Sequence, residues 1–391
     1  MNDKSNFDVL LTNGWDRVSY NVLRRLAKSG LRVAFGVDKY SGMGVYSNLI
    51  QHNFTYTAYN DSEDKFIIDV VNFIKKNNVN VYIPTGEEII IVAKHIDKFK
   101  DLNTRIPISH YTTLSKLHYK SESYHLAKSL NIPIPATIIP NSFKDIKNFG
   151  DTVGYPLVFK NFFSTSAKGV FYLVEERLHE TIDELLYKQN LNFGKFLIQQ
   201  FVHGEGYGVS MLLNKGKVIA SFTHKRLREK KNTGGPSTLR VSTKNDVLEK
   251  YAKILLTSQN FTGIAMVEFR FNEEKQQSWF IEVNPRFWGS VGLAINSGVD
   301  FPNMLYDLAI GKEIKFNGNY SLGIKYKWLL GDIYVNCKNF IKTFKFTHIK
   351  NIFEKVDGYD DFYSDDKLPF FMLIFLYVKR IFKGYYKIKK K

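Results

Sequence analysis

The alternation of short apolar runs with helically spaced segments in the first 110 residues constrains the fold of this chain most. Residues 8–12 have the sequence DVLLT and end at an Asn-Gly pair, which predicts a buried strand that enters a turn. Residues 19–29 carry apolar side chains at helical spacing, and residues 31–37 form a second apolar run. A strand, a helix and a strand at this spacing predict a parallel α/β unit. We therefore expect an N-terminal α/β domain over residues 1–112.

The turn after the first predicted strand contains one glycine, Gly14. A dinucleotide-binding turn needs three glycines, because the backbone must approach a pyrophosphate closely. Asp38 at the end of the second strand would suit a ribose, but an acid at a strand end is common. We expect this domain to have a structural role, and NAD binding is the weaker alternative.

Hairpin patterns replace the strand–helix alternation later in the chain. Residues 156–160 (PLVFK) predict a strand, which a short loop of small residues joins to an apolar run at residues 170–174. Further strands are predicted at residues 196–202, 208–213, 217–223, 263–271 and 278–283. Helices are predicted between and after them, at residues 246–259 and 304–310. This part of the chain is expected to have an α+β architecture.

Two acids lie on what the pattern predicts to be neighbouring strands, Glu268 in the first and Glu282 in the second. Asn284 follows two residues after Glu282, so strand alternation places both on one face. Carboxylate and amide oxygens are ligands that Mg²⁺ accepts, and Arg286 could extend this face to clamp a phosphate or carboxylate. Taken alone, the pattern fits equally well an ordinary hairpin whose acids face water.

Lysines and a loop of small residues form a second candidate cluster. Lys120 and Lys160 lie at a helix or strand edge, and the loop 164–169 includes Ser166, Lys168 and Gly169. Phosphates attract flexible cations and free backbone N–H groups, and a loop of this composition can lie close to them. Lysines are frequent in this chain, so each of these alone is more simply a surface residue.

A third cluster follows the strand predicted at residues 196–202. The segment Gln199-Gln200-Phe201-Val202 runs into the glycine-flanked Glu205. Backbone groups exposed after a strand could contact an adenine edge, and Glu205 could bind ribose hydroxyls. The alternative is a turn with no ligand.

A basic segment at residues 224–231, which includes Lys225 and Arg226, leads into the glycine-rich residues 233–238. We expect the basic segment to be flexible and the glycine-rich one to be a mobile lid. Together they could hold phosphate on one side and an anionic substrate on the other. The alternative is a solvated charged face, which is what most charge runs are.

The charge of the chain indicates anionic partners. Its formal net charge is +17, and residues 379–391 carry seven Lys or Arg without an acid. The single cysteine, Cys337, excludes an internal disulfide and a cysteine-based zinc cluster. The polar N-terminus does not resemble a secretory signal, and the apolar run at residues 368–378 is too short to span a bilayer. We expect a cytoplasmic protein.

The order of these clusters strongly resembles the ATP-grasp superfamily, in its carbamoyl-phosphate-synthase-like branch. The resemblance covers residues 8–312 and includes the motifs AKSLNIPIPAT, PLVFK, LIQQFVHGEGYG, TGGPSTLR and FIEVNPRFWGS. It implies a pre-ATP-grasp domain at residues 1–112 and a two-lobed ATP-grasp domain at 113–312, with a smaller lobe at about 135–200 and a larger lobe at about 201–312. Residues 313–391 form a basic C-terminal extension outside the resemblance.

The resemblance also implies a role for each cluster. Lys120 and Lys160 would contact the phosphates of ATP, with the small-residue loop above them, and the backbone of residues 200–202 would contact adenine. Many members carry glutamate at the first position of this hinge, where this chain has Gln199. Others place the ribose-binding acid where this chain has Gly206, and Glu205 could substitute for it here.

The acid–amide–arginine set matches the family's reaction centre. Glu268, Glu282 and Asn284 match the positions that hold Mg²⁺ or Mn²⁺, and Arg286 matches the arginine at the reacting phosphate. Lys225 or Arg226 would add positive charge there. The implied activity is that of a ligase, in which ATP activates a small carboxylate as an acylphosphate for attack by an amine or, less often, a thiol.

Three alternatives remain open at this point. The chain could be a non-catalytic ATP-binding scaffold that retains the fold. Nucleic-acid binding is unlikely, because no basic helix with interleaved aromatic residues accompanies the charge. Residues 368–391 could anchor the chain to an anionic membrane, although a final helix packed on the core explains the same pattern.

Overall fold

The computed structural model describes residues 7–38, 42–162, 169–231 and 234–388. The N-terminal domain alternates strands with helices, as the sequence predicts. Its elements are β1 (Val9–Thr12), α1 (Arg17–Lys28), β2 (Val33–Val37), a 3₁₀ helix (Gly44–Tyr46), β3 (His52–Thr55), α2 (Glu63–Asn77), β4 (Val81–Pro84), α3 (Glu88–Lys94) and a second 3₁₀ helix (Ile96–Phe99).

The four strands of this domain form a parallel sheet in the order β3-β2-β1-β4. Alternate side chains of β1 point to opposite faces: Val9 and Leu11 pack in the cluster that contains α1 residues, while Leu10 packs in the cluster that contains α2 residues. Both faces of the sheet are therefore covered, which explains why its central strands are apolar throughout. The prediction of a parallel α/β domain is confirmed.

A small antiparallel sheet follows two connecting helices, α4 (Tyr111–His118) and α5 (Lys120–Ser129). Its strands pair in the order β5-β8-β6-β7, and Ile146, Phe159 and Ile182 lie in the core beneath them. We call this unit the smaller lobe. Its elements are β5 (Thr137–Ile138), α6 (Phe143–Val153), β6 (Leu157–Asn161), β7 (Val170–Leu173), a 3₁₀ helix (Glu175–Arg177), α7 (Leu178–Gln189) and β8 (Phe196–Gln200).

The remaining elements form a larger antiparallel sheet and the helices around it. They are β9 (Glu205–Asn214), β10 (Lys217–Lys231), β11 (Gly234–Thr243), α8 (Asp246–Thr257), β12 (Gly263–Asn272), β13 (Gln277–Asn284), α9 (Val291–Asn296), α10 (Phe301–Ile310), β14 (Lys325–Lys327), α11 (Leu329–Thr343), α12 (Thr347–Ile352), β15 (Gly358–Tyr359) and α13 (Leu368–Ile388).

Seven strands make up this larger sheet, in the order β13-β12-β9-β10-β11-β14-β15. Its neighbours are antiparallel except for β14 and β15, which run parallel. β14 and β15 come from beyond residue 312, the end of the family resemblance. The C-terminal region therefore extends the larger sheet instead of following it as a separate tail.

The basic segment at residues 224–231 is the second half of β10, so the prediction that it is flexible is wrong. The described part of the predicted lid, residues 234–238, begins β11 and pairs with β10; Thr233 lies outside the described residues. The physical reason lies far along the chain: buried Asp332 in α11 accepts hydrogen bonds from Arg228 and Thr238 and ties the two strands together.

The acidic segment 360–366 connects three parts of the chain. Asp360 forms a buried ion pair with Arg240 of β11. Asp361 accepts hydrogen bonds from the first two backbone N–H groups of α11, at 2.8 and 3.0 Å. Asp366 accepts from the hydroxyl of Tyr20 in α1 at 2.9 Å. These contacts fix the C-terminal region against both the larger sheet and the N-terminal domain.

The last helix, α13, packs one face on the core through the buried Phe370 and the partly buried Leu373 and Ile374. Within the part of the chain that the structure describes, none of the helices combines the length and apolar character needed to cross a bilayer.

Candidate functional site

A cleft of about 730 Å³ lies where the smaller lobe, the larger sheet and the N-terminal domain meet. The N-terminal domain contributes residues 13 and 15–18 after β1 and residues 85–87 after β4. The smaller lobe contributes Lys160 and Tyr172, and the segment 199–204 joins the two sheets. Most of the residues that the sequence selects lie in this one cleft.

The two acids face each other across the β12–β13 ladder, where Glu268 is the register partner of Glu282. The amide Nδ2 of Asn284 lies 3.2 Å from Glu268 Oε1 and 3.4 Å from Glu282 Oε1. Asn284 shares a face with Glu282 because it lies two residues further along the same strand. Three oxygen-bearing side chains thus converge at one point of the cleft.

Cations surround this acid pair. Arg226 Nη2 lies 2.6 Å from Glu268 Oε2, and Lys120 Nζ lies 3.7 Å from Glu282 Oε2. Arg286 Nη2 donates to Asn284 Oδ1 at 3.0 Å. The cluster therefore combines two carboxylates with three positive side chains, most of them shielded from water.

Two glycines of β9 make room for the β10 side chains of Arg226 and His224, since β9 lies between β10 and β12. A Cβ atom at Gly206 would lie 2.9 Å from Arg226 Cδ, and one at Gly208 would lie 2.3 Å from His224 Cε1. Side chains at these positions would push both β10 residues out of place. Gly206 therefore leaves the space that the arginine needs to cross the strand, and Gly208 leaves the space for the histidine.

The environment shifts the pKa values of the two carboxyl groups in opposite directions. Burial raises the pKa of Glu268, and neighbouring Glu282 adds to this while Arg226 opposes it. Burial acts in the same direction on Glu282, but Lys120, Lys160 and Arg226 outweigh it and hold its pKa below the ordinary value. Glu282 is therefore the more firmly ionised of the pair.

The donor set fits Mg²⁺ better than a transition metal. Among the residues that the structure describes, no group of three or more His, Cys, Asp and Glu side chains is arranged to hold a metal ion. Magnesium is usually held by one or two carboxylates together with substrate phosphates and water. Glu268 and Glu282, with Asn284 beside them, provide this smaller set.

Lys160 lies at the end of β6 and is buried beside α5. Its Nζ donates to the hydroxyl of Tyr124 at 2.8 Å, and that hydroxyl donates to the carbonyl of Ile281 at 2.6 Å. Burial lowers the pKa of Lys160 to about 8. The lysine is thus held inside the cleft, and its burial makes the charged form less favourable there.

The predicted adenine-contacting segment lines the cleft at the end of β8. Gln199 is buried, and its Nε2 donates to Thr137 Oγ1 at 2.8 Å. The backbone N–H of Gln200 donates to the carbonyl of Ala136 at 2.9 Å. Phe201 and Val202 come after the last residue of β8. The Gln199 side chain therefore has a structural partner within the smaller lobe.

Lys225 and Glu205 are among the predicted residues that lie outside the cleft lining. Lys225 forms ion pairs with Glu205 and, at 2.9 Å, with Glu273. Lys225 and Arg226 are successive residues of one strand, so their side chains point to opposite faces and Arg226 is the one that lines the cleft. The structure thus pairs Glu205 with Lys225 instead of presenting it to the cleft.

The predicted small-residue loop falls only partly within the described residues. Ser166 and Lys168 lie outside the described residues. Gly169 is buried in the β6–β7 hairpin, where its carbonyl accepts from the backbone N–H of Asn161 at 3.0 Å.

Sequence reasoning missed several cleft residues of the N-terminal domain. Arg17 lies in the cleft with its guanidinium 4.2 Å from the ring centre of Trp328. Glu87 also lies in the cleft, with its Oε1 3.4 Å from Arg286 Nη2. Both follow the carboxyl ends of parallel strands, the usual position for ligand contacts in such sheets, and that rule could have identified them.

Arg240 and His224 complete the cleft on the side of β10 and β11. Arg240 Nη2 lies 3.4 Å from the carbonyl of Gly289. The ring of His224 lies 3.2 Å from Ser290 Oγ, and burial together with Arg226 and Arg240 lowers its pKa well below the ordinary value. A neutral imidazole therefore lies among the arginines.

Comparison with known proteins finds one matching family model and several similar proteins. Residues 192–331 match a family model described as ATP-grasp in the biosynthetic pathway with Ter operon. The chain is similar to phosphoribosylamine–glycine ligase of Halalkalibacterium halodurans, at 24% identity over 56% of this chain and 55% of that protein. It is also similar to tyramine–L-glutamate ligase of Methanocaldococcus fervens, at 27% identity over 49% of this chain and 64% of that one. These matches span less than two thirds of either relative.

Solved structures share the fold. The biotin carboxylase domain of 2-oxoglutarate carboxylase from Hydrogenobacter thermophilus, solved with MgADP and bicarbonate, is similar with a TM-score of 0.66 and 14% identity. The match covers 82% of this chain and 73% of that one. The family match includes β9 to β13, which carry the acid pair, Asn284 and Arg226. The chain thus has the fold of the ATP-grasp proteins, and its residues 192–331 match a model of that family.

Proposed function

We propose that this chain is an ATP-dependent ligase that activates a carboxylate as an acylphosphate for attack by an amine or, less often, a thiol. One observation carries the proposal: Glu268, Glu282, Asn284, Arg226 and Arg286 converge in a single cleft, within hydrogen-bond or ion-pair distance of one another. Acids that bind a metal next to cations that bind phosphates are what phosphoryl transfer needs.

ATP and Mg²⁺, with Mn²⁺ as a substitute, are the proposed cofactors. Glu268, Glu282 and Asn284 would hold the metal, which when bound supplies charge neutralisation on the phosphates of ATP. The phosphates would contact Lys120 and Lys160, and the adenine would lie against residues 200–202. The roles of Ser166, Lys168 and Gly169 above the phosphates also remain part of this proposal.

The arginines would stabilise the charge that develops during transfer. Arg226 is largely shielded from water and its pKa is raised, because the nearby Glu268 and Glu229 outweigh the effect of burial, so it remains charged. Arg286 extends the same face beside Asn284. In a cleft with little water, fixed positive charges stabilise a transferring phosphoryl group more strongly than they would in solvent. Exclusion of water would also protect an acylphosphate from hydrolysis.

The end of the cleft near the N-terminal domain is the proposed site of the carboxylate and amine substrates. Arg17 and Arg286 line it, and arginine binds carboxylates through paired hydrogen bonds. The two named relatives are ligases of an amine and an amino acid, phosphoribosylamine with glycine and tyramine with glutamate. A small molecule with a free carboxylate, such as an amino acid, is therefore the substrate class we propose.

The test is ADP release from MgATP across paired panels of carboxylates and amines. We expect release that depends on one carboxylate and one amine, and its loss in Glu282→Ala. Glu273→Ala is the matched control, because Glu273 pairs with Lys225 away from the cleft lining and should leave release unchanged. Tight MgATP binding without release for any pair would favour the non-catalytic scaffold instead. Unchanged turnover in Glu282→Ala would refute the metal assignment.

A separate proposal concerns localisation. We propose a cytoplasmic protein that contacts the inner face of an anionic membrane through residues 368–391. The face of α13 opposite the core exposes Leu368, Phe371 and Phe375, and the basic tail follows. Phe371→Ser/Phe375→Ser should weaken flotation with vesicles that contain phosphatidylglycerol. Equal flotation of this variant and the original chain would count against the contact.

A further inference from the structure

The end of α11 and the start of α12 form a protruding tip, residues 338–353, which we call the α11–α12 tip. The first half of α11 is anchored, because Asp332, Val335 and Asn336 are buried against the larger sheet. From residue 341 to residue 347, by contrast, every side chain is exposed. The tip therefore stands away from the body of the molecule.

The exposed side chains of the tip are large and apolar. Ile341, Phe344, Phe346 and Phe353 are 71%, 75%, 74% and 80% exposed. The rings of Phe344 and Phe346 lie 6.2 and 5.8 Å from that of Phe340, so the aromatic residues form one cluster. A group of this kind on a surface marks a site of interaction with another apolar surface.

The charges of the tip are all of one sign. Lys338, Lys342, Lys345 and Lys350 are exposed, and residues 338–353 include no Asp or Glu. The next acid, Glu354, is already paired with Arg228 at 2.9 Å and with Lys325 at 3.1 Å. The tip thus combines an aromatic cluster with uncompensated positive charge.

These charges favour one occupant of the surface. Pairing with a second copy of the chain would bring two sets of four lysines together, which is repulsive. An anionic bilayer offers an apolar interior for the aromatic rings and negative headgroups for the lysines around them. We propose that the α11–α12 tip inserts into anionic lipid membranes, with Phe344 and Phe346 at the level of the upper acyl chains. This site is separate from α13 and does not depend on the ligase activity.

The single cysteine of the chain allows a direct test on the full-length protein. Cys337 is exposed on α11, one turn before Ile341. An environment-sensitive NBD dye attached there should shift its emission to the blue with vesicles of 70% phosphatidylcholine and 30% phosphatidylglycerol. With pure phosphatidylcholine vesicles we expect little shift. No shift with either kind of vesicle would overturn the proposal.

Substitutions distinguish insertion from other forms of binding. Phe344→Ser/Phe346→Ser should raise the lipid concentration for half-maximal cosedimentation at least about tenfold, since two aromatic side chains are lost from the apolar phase. Lys342→Glu/Lys345→Glu should have a similar effect that weakens at high salt. The control for the aromatic residues is Tyr187→Ser, on α7, where the tyrosine is similarly exposed. The control for the charges is Lys75→Glu/Lys76→Glu on α2. Both control variants should bind the vesicles as the original chain does.

Three results would contradict the proposal. If the Phe344/Phe346 variant binds normally while Phe371→Ser/Phe375→Ser does not, α13 is the binding element. If only the lysine substitutions matter, the tip associates with headgroups without inserting. If the original chain binds neither kind of vesicle, the tip binds a protein instead.

Discussion

Glu268 and Glu282 lie opposite each other in a buried part of the molecule, where two negative charges would repel strongly. Arg226 and Lys120 contact one carboxylate each and offset this repulsion. Each ion pair uses only the Oε2 atom of its carboxylate, and the Oε1 atoms of both acids face the Asn284 amide. At the scale of single residues, therefore, the site is already charge-balanced around the position where a metal would bind.

Arg226 and Lys225 provide a matched pair of substitutions. Arg226→Met should lower kcat for ADP release roughly 10²-fold, since it removes a fixed positive charge from the reaction centre. Lys225→Met should lower it less than about twofold, because Lys225 pairs with Glu205 and Glu273 outside the cleft lining. Steady-state kinetics at saturating ATP would measure both. Equal losses in the two variants would contradict the assignment of faces.

The lowered pKa of Lys160 predicts a pH dependence of ATP binding. Burial reduces this pKa to about 8 in the free protein, and bound phosphates favour the charged form. ATP should therefore bind the protonated lysine more tightly. Its Kd should be constant below about pH 7.5 and rise by up to about tenfold per pH unit above pH 8.

Calorimetric titration between pH 6.5 and 9.5 would measure this dependence. Lys160→Arg is the control, because arginine stays charged over the whole range and should give a flat profile. A flat profile for the unsubstituted chain would show that Lys160 does not titrate in contact with ATP.

Sequence alternation was sufficient to place Glu282 and Asn284 on one face, since that rule depends only on strand geometry. It could not decide between Lys225 and Arg226, because the choice depends on which face of β10 the cleft occupies. That face is set by pairing with β9, where Gly206 makes room for Arg226. Arg17 was missed for a similar reason: its cleft position follows from the packing of the N-terminal domain.

The β10–β11 hairpin illustrates the same point for a whole element. Its charged and glycine-rich sequence indicates a flexible loop. The chain nevertheless continues as paired strands, because Arg228 and Thr238 find a buried partner in Asp332, about a hundred residues further along. Local propensity cannot predict a strand that is stabilised from so far away.

Removal of that partner should destabilise the hairpin strongly. Asp332→Ala should lower the free energy of unfolding by about 3–5 kcal/mol, because it leaves the Arg228 charge and the Thr238 hydroxyl without their buried acceptor. Glu354→Ala removes the more exposed partner of Arg228 and should cost about 1 kcal/mol or less. Urea unfolding followed by circular dichroism would measure both. Similar losses for the two variants would show that Asp332 is not the anchor.

At the scale of the whole molecule, the acidic segment 360–366 holds the C-terminal region in place. Asp360 pairs with Arg240, and Asp366 bonds to Tyr20 in the N-terminal domain. The motif resemblance in the sequence ends at residue 312 and the family match ends at residue 331, so neither could predict this connection. The C-terminal region supports both Arg240 and Arg17, which places it behind the proposed substrate end of the cleft.

Removal of residues 313–391 should therefore prevent cooperative folding. The shortened chain would lose β14 and β15 from the larger sheet and leave Arg240 without Asp360. Removal of residues 389–391 alone is the control and should not change the unfolding midpoint. Calorimetry would measure the unfolding transition of each of the two shortened chains. A sharp transition for the chain without residues 313–391 would contradict the structural role assigned to that region.

The central claim is that ATP activates a carboxylate as an acylphosphate. Its most direct test is a reaction with the carboxylate substrate labelled with ¹⁸O in both oxygens, followed by mass spectrometry of the phosphate released. Formation and displacement of an acylphosphate transfer one labelled oxygen to phosphate, so we predict one ¹⁸O per phosphate released. Phosphate without the label, at a normal rate of amide formation, would contradict the mechanism proposed for this chain.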